Sequence, residues 1–416
     1  MFREEQRFKS GFFGGPAGVH RLQGRVGGED GKSEVHGETV DAVGDDWRQP
    51  ILWSWRNPIL WPVPSIHKAI HEEISASGPM PFERFMQKSL YGPGGFFSGE
   101  VLRSQKSGDF LTSPEISPMF GRTLAAFVAA EHERIGDPFA VLEAGAGSGS
   151  LIGPLLEAHP VDGWVVEVSP PAQAYLAGML GTNRVLESLE EFPGAFRGVI
   201  IANELLDNLP MAIAQLADDG WRERWVGSDG DRLVLVDAPP RPDVASWLER
   251  FSGPVGPGAW VEVQIQASQW VTEALSLLQA GALLVIDYGD TAENLLPRRK
   301  DGTLRTYRSH HLGPHPLDEP GATDITADLN FTAMIEAAEA AGAAVSLSRQ
   351  DDFLARWGLR KVLSELRSEE LELARSQAEL ERLALRSRRT EAETLMHPRG
   401  LGDFRVMVAR KPPPFL

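Results

Sequence analysis

The stretch Phe139-Ala-Val-Leu-Glu-Ala-Gly-Ala-Gly-Ser-Gly149 constrains the fold of this chain more than any other. An apolar run ends in an acidic residue and passes into glycines at alternate positions. Such a run reads as a parallel strand buried on both faces. Glycines then let the backbone turn sharply and let a ligand approach without Cβ clashes. Leu151 to Ala158 reads as the helix that follows. The spacing Gly145-x-Gly147-x-Gly149 is not the dinucleotide fingerprint, whose third glycine falls where Ser150 stands. Glu143 ahead of the turn suits a cationic or amine-bearing ligand better than a pyrophosphate. S-adenosylmethionine, with a sulfonium and an ammonium, meets that demand.

The order of the next segments strengthens this reading. Gly163-Trp-Val-Val-Glu-Val-Ser169 is a second strand, with Glu167 near its end. An acidic side chain about twenty residues past the glycines reaches ribose hydroxyls in nucleotide-binding α/β folds. Arg184-Val-Leu-Glu-Ser188 is a third segment and puts Glu187 where an adenine contact would fall. Gly198-Val-Ile-Ile-Ala202 runs into Asn203-Glu-Leu-Leu-Asp-Asn-Leu-Pro210, and Gly281-Ala-Leu-Leu-Val-Ile-Asp287 is a fifth strand. Apolar strands separated by helical patterns make a doubly wound sheet, which binds ligands outside the carboxyl ends of its strands. Any one of the acidic residues alone reads as a helix cap or a solvated loop end. Recurrence at three successive strand ends points to a nucleoside site.

Other features set the surroundings. Net charge is −17, which disfavours nucleic acid as the main partner and suits a basic protein substrate. There is no cysteine, so disulfides, thiolate metal sites and cysteine nucleophiles are excluded. No apolar stretch is long enough to span a bilayer. The start Met1-Phe-Arg-Glu-Glu has neither signal-peptide nor transit-peptide character, and a cytoplasmic protein is expected. Residues 1–64 are polar and glycine-rich and read as a disordered extension, within which the Trp-rich Ile51–Trp61 piece reads as a chance apolar patch in preference to a membrane-surface or partner-docking segment. Residues 65–135 read as a helical cap. Within it, Ser113 is expected to N-cap a helix with Pro114 at its first position, running to about Arg134. Residues 136–317 read as the α/β core, with antiparallel strands inserted over 212–262 and turned at Asp218-Asp-Gly220 and Gly227-Ser-Asp-Gly230. Trp221 and Trp225 share a face there, for core packing or for stacking on a guanidinium. Residues 318–416 read as helices and a return strand, Asp403–Ala409. The Leu/Glu/Arg-rich stretch from 358 to about 394 is one long or two short helices, either a cap over the sheet or a coiled-coil arm that would make a homodimer. His310, His311 and His315 read as surface residues, and no metal is expected.

Seven segments together resemble a known family. They are Tyr91–Phe97, Gly108–Glu115, Glu143–Gly149, Ala202–Pro210, Ile286–Gly289, Gly302–Arg305 and Asp324–Ala327, and they cover roughly Ile66 to Lys411. The chain is identified by them as resembling the MidA-type S-adenosylmethionine-dependent methyltransferases, a family that includes a mitochondrial respiratory complex I assembly factor that methylates protein arginine. Two departures are visible. Asn208 stands where a small residue is expected, and the glycine turn is Ala-Gly-Ser-Gly in place of Pro-Gly-Arg-Gly. The resemblance implies a class I (Rossmann-like) methyltransferase sheet with an antiparallel insertion and helical additions at both ends. It implies a cofactor site including Gly108, Asp109 and Asn203 beside Glu143, Gly145, Gly147, Gly149, Glu167 and Glu187. The implied substrate is a protein, of the respiratory-chain subunit kind.

The chemistry narrows the catalytic candidates. Methyl transfer from a sulfonium is an in-line displacement with an excellent leaving group, so position and alignment dominate. Arginine cannot be deprotonated simply. Paired carboxylates can instead hold its charge and aim one nitrogen. Glu204 and Asp207, three apart after the fourth strand, are expected on one face of a helical turn as that pair. A small-molecule N- or O-methyltransferase and a cofactor-binding assembly factor without turnover are the alternatives.

Overall fold

The computed structural model describes residues 66–99, 112–295, 300–308, 311–374 and 378–412. The expected extension 1–64 and the loop residues Gly108 and Asp109 lie outside the described residues, as does His310.

The five core strands and the return strand read from the sequence assemble into one sheet, joined by a strand the sequence reading did not include, Ala344–Arg349. They are β1 (Ala140–Ala144), β2 (Asp162–Val166), β3 (Val185–Leu186), β4 (Phe196–Asn203), β5 (Leu278–Asp287), β6 (Ala344–Arg349) and β7 (Arg405–Lys411). Their order is β3-β2-β1-β4-β5-β7-β6. β1 to β5 run parallel, while β7 lies antiparallel between β5 and β6. The unbroken apolar runs have their cause here. Leu142, Ile200, Leu283 and Val285 enter the core on one face. Val141, Val199, Ile201, Leu284 and Ile286 enter the core on the other. Alternate residues of a strand point to opposite faces, so a sheet covered on both must be apolar throughout.

Between β4 and β5 the chain leaves this sheet. Ala212–Ala217, Gly220–Asp229, Arg232–Ala238 and Trp260–Val263 form a second, antiparallel sheet, which also takes in Met80–Pro81 from the N-terminal segment. A third core binds the two segments. Ile70, Phe85, Met86 and Leu90, from the helices Ile66–Ser77 and Phe82–Tyr91, pack with Ile213 and Val226 of the insertion. A buried ion cluster reinforces the joint: Arg241 bridges Glu83 and Glu223 at 2.9 Å each. Trp221 packs against the main-sheet core.

The helix expected from Ser113 to Arg134 is two pieces, a single turn Ser113–Ile116 and a helix Met119–Ile135. The break falls at Ser117, with φ −152° and ψ 131°. It precedes Pro118, and a residue before proline is driven from helical to extended backbone. Ser113 is the first helical residue and not the cap, which is Thr112. The stretch after 358 is two helices, Leu359–Leu373 and Glu379–Thr394. No helix among the described residues is long and apolar enough to cross a membrane.

Candidate active site

A cleft opens where the strand order reverses, between β1 and β4, as the topology of open α/β sheets dictates. Ala144 pairs with both Val166 and Ala202. The next residues, Gly145, Glu167 and Asn203, therefore leave the sheet side by side. Asn203 pairs with Ile286, which brings Glu204 level with Asp287. The cleft is partly open to solvent and is walled by these strand ends together with the Ser113–Ile116 turn.

The turn after β1 explains its own glycine spacing. Gly145, Gly147 and Gly149 have φ of +70°, +52° and +74°, a region L-residues enter at a cost of roughly 1–2 kcal/mol. The Gly145 amide donates to the Val166 carbonyl at 2.8 Å. The Gly147 amide donates to Glu167 Oε2 at 2.7 Å. Glu167 Oε1 accepts the amides of Val168 and Ser169, both at 2.8 Å. Three donors leave capacity on a carboxylate, which has about four acceptor positions. Burial raises the Glu167 pKa against the pull of those amides. Glu143 accepts the Ile152 amide at 3.0 Å. Burial holds its pKa well above the ordinary carboxylate range, and Glu167 and Glu115 add repulsion.

Glu204 is the one non-glycine residue with positive φ, +50°, among the described residues. Its Oε1 accepts the Ser113 amide at 3.1 Å and the Asn203 Nδ2 at 3.4 Å. Loss of hydration in the cleft lifts its pKa to about 8, with the nearby Asp207 charge contributing next. Left-handed backbone at a bulky residue is a strain that clusters at functional sites.

The structure gathers Glu143, Gly145, Gly147, Glu167, Asn203 and Glu204 around the cleft. It puts the other described candidates elsewhere. Gly149 is a packing position, because a side chain there would meet Leu176 and Met179. Glu187 faces a separate shallow recess with Pro170 and Thr182, since β3 is only two residues long and the chain turns away, its Glu187 amide held by Glu191 at 2.9 Å. Asp207 is buried behind the cleft wall. It accepts the hydroxyls of Tyr288 and Thr326, the latter at 2.6 Å, and its amide donates to Asp287 at 3.2 Å. The expected shared face with Glu204 fails for a backbone reason. Glu204 is left-handed, and Leu206–Asn208 is a 3₁₀ turn, so helical spacing does not apply across them.

Tyr91, Phe97, Glu115, Ser148 and Asn208 also line the wall; all five fall in the segments that carry the family resemblance, but none was named as a site residue. Tyr91 stacks on Phe97 with ring centroids 5.6 Å apart and donates its hydroxyl to the Asn208 carbonyl at 3.1 Å. Asn208 in turn donates to Asp324 Oδ1 at 2.7 Å and the Ile325 carbonyl at 3.1 Å. The aromatic ends of the glycine-rich Tyr91–Phe97 segment were the available signal. The resemblance implied that the Gly108–Glu115 loop lies near the cofactor, while the residue pattern by itself gave only a helix start for Glu115.

All charged side chains in the described wall are carboxylates. Asn203 Oδ1 is also buried there with no hydrogen-bond partner among the described residues. Such a wall asks for a ligand that brings positive charge and hydrogen-bond donors. The hydroxyls, ammonium and sulfonium of S-adenosylmethionine meet that requirement, so the residues present fit the cofactor.

Strand order, the antiparallel β7 and this cleft define a class I S-adenosylmethionine-dependent methyltransferase. A family model of S-adenosyl-L-methionine-dependent methyltransferases matches residues 123–348, more than half the chain. The chain belongs to that family, and its cofactor is S-adenosylmethionine; its relatives are of the MidA type. The protein named "Protein arginine methyltransferase NDUFAF7, mitochondrial" of Homo sapiens is 28% identical over 356 residues, 75% of this chain and 78% of that protein. The Xenopus laevis protein of the same name is 28% identical over 333 residues, 69% of this chain and 72% of that one. A Burkholderia thailandensis crystal structure, a candidate methyl transferase bound to S-adenosyl-homocysteine, matches with a TM-score of 0.73 at 29% identity, covering 83% of this chain and 92% of that one. The relatives also correct one expectation. They are named mitochondrial, which overturns the cytoplasmic reading. That reading rested on the composition of the first residues, and compartment is read by receptors from short signals, not from bulk composition.

Proposed function

We propose that this methyltransferase acts on arginine side chains of a protein, with a respiratory-chain subunit as the substrate the family resemblance suggests. The observation that carries the reading is Glu204, a carboxylate kept in strained backbone inside the cleft. The names of the curated relatives support it. When bound, the cofactor supplies an electrophilic methyl group. The residues of this chain supply the rest. The Gly145–Gly149 turn admits the ligand to the backbone, and Glu167 has acceptor capacity for hydroxyls. Ionised Glu204 pairs with an entering guanidinium, holds the charge on two of its nitrogens and leaves the third free to attack. The Tyr91–Phe97 stack offers a flat aromatic surface to the same cation. A guanidinium in the cleft favours the ionised form of Glu204, so its proton leaves as substrate enters.

The test is mass spectrometry of methylated proteins in cells lacking this protein and in cells given it back. Arginine methylation at a defined site should vanish in the first and return in the second. Return of the methyl mark on lysine, or only on a small molecule, overturns the reading.

A further inference from the structure

The segment that closes the cleft from the N-terminal side carries a carboxylate to which no role has been given. Glu115 lies on the single turn Ser113–Ile116 and is 8% exposed. The hydroxyl of Ser148, in the glycine turn, donates to it. The same turn is fixed on its other side. The Ser113 amide donates to Glu204 at 3.1 Å, and the Gln350 side chain joins Ser113 Oγ at 3.3 Å and the Leu395 carbonyl at 3.2 Å. Glu115 is therefore held in place over the glycine turn, as the fourth carboxylate beside Glu143, Glu167 and Glu204. No lysine, arginine or histidine is among the described residues of the cleft. The orphaned, buried Asn203 Oδ1 adds a further acceptor.

Donor and product differ in little. Both carry the adenosine and the amino-acid group. Methyl transfer breaks one S–C bond and forms one bond from the acceptor atom to that carbon, and the acceptor's proton passes to solvent. The bonding pair stays on sulfur, so a sulfonium cation becomes a neutral thioether. Shape and hydrogen bonding hardly separate the two ligands, while the charge does. At an effective dielectric of about 20, one unit charge a few ångströms from a carboxylate changes affinity by roughly tenfold or more.

We propose that Glu115 is a specificity-determining residue for the donor, making the cleft prefer the cationic sulfonium to its neutral product. Transfer of the methyl group then lowers the affinity of what remains, and product leaves. This inference concerns the donor alone and holds whichever acceptor is methylated.

Calorimetry of the full chain with S-adenosylmethionine and S-adenosylhomocysteine tests it without turnover. The native protein should bind the first roughly tenfold tighter or more. Glu115→Gln should weaken S-adenosylmethionine binding about tenfold and leave S-adenosylhomocysteine within roughly threefold. Ser148→Ala, which removes only the hydroxyl that holds Glu115, should narrow the preference in the same direction by less, and it serves if Glu115→Gln does not fold. Equal weakening of both ligands overturns the proposal, because Glu115 would then read a group they share. Equal affinities in the native protein also overturn it.

Discussion

Two loops leave neighbouring strands into the same cleft and solve one geometric problem in different ways. The loop after β1 needs left-handed backbone three times and uses glycine each time, where the conformation costs little. The loop after β4 needs it once and places Glu204 there, at a cost on the order of 1–3 kcal/mol. In the first loop the backbone shapes the turn, and the Ser148 hydroxyl is the side chain that reaches across to Glu115. In the second the side chain is the working part. Its neighbourhood holds the strained residue, through the Ser113 amide and Asn203. Glycine at position 204 would relieve the strain and discard the carboxylate.

The contrast can be broken most directly at Glu204. Glu204→Gln keeps shape and hydrogen-bonding capacity and loses the charge. Methyl transfer should fall by roughly a hundredfold, the scale of one electrostatic contact in a dry site, with cofactor affinity within a few-fold. A radiolabel transfer assay beside calorimetry separates the two. Full turnover in that variant would sink the assignment, and lost cofactor binding would make Glu204 a cofactor ligand.

Gly147→Val tests the other loop. A β-branched side chain at φ +52° is strained, and the Gly147 amide holds Glu167. Cofactor affinity should drop about tenfold or more, while the circular-dichroism spectrum stays native. Unchanged affinity would show that the turn backbone does not meet the ligand.

Asp207→Asn sharpens the comparison by separating burial from catalysis. Asp207 accepts two hydroxyls, and its Oδ1 has no partner. An amide there leaves a buried donor unpaired, at a cost of about 1–3 kcal/mol. Thermal stability should fall by several degrees for a loss of turnover below roughly tenfold, the reverse of Glu204→Gln. A hundredfold loss of turnover with unchanged melting would return Asp207 to the reacting centre.

The smallest effect is on stability against pH. Glu204 titrates near pH 8 when folded, against an ordinary 4.5. Between those values the folded state holds a proton that the unfolded state has released. The group therefore lowers stability as pH rises through that window. Glu204→Gln should melt a few degrees above the native protein at pH 8.5 and alongside it near pH 4. An equal offset at both values would mean that the carboxyl does not titrate where its burial puts it.

The five parallel strands, the glycine turn and the acidic residues Glu143 and Glu167 were all legible in the linear sequence. Each depends on a local rule: two-sided burial needs apolar runs, sharp turns need glycine, and strand ends follow from where the runs stop. The separation of Glu204 from Asp207 was not legible. It depends on one backbone torsion, held in place by Ser113 from a segment ninety-one residues earlier. Tyr91, Phe97 and Glu115 joined the site in the same way, delivered by the segments before β1 and not by the strands themselves. Glu187 looked equivalent to Glu167 by position, yet β3 ends before its side chain reaches the cleft. Sequence by itself determined the doubly wound sheet and the glycine turn, because burial and turn chemistry act on neighbouring residues. Only the tertiary structure decided which carboxylates face the ligand, because that choice is made by contacts between distant segments.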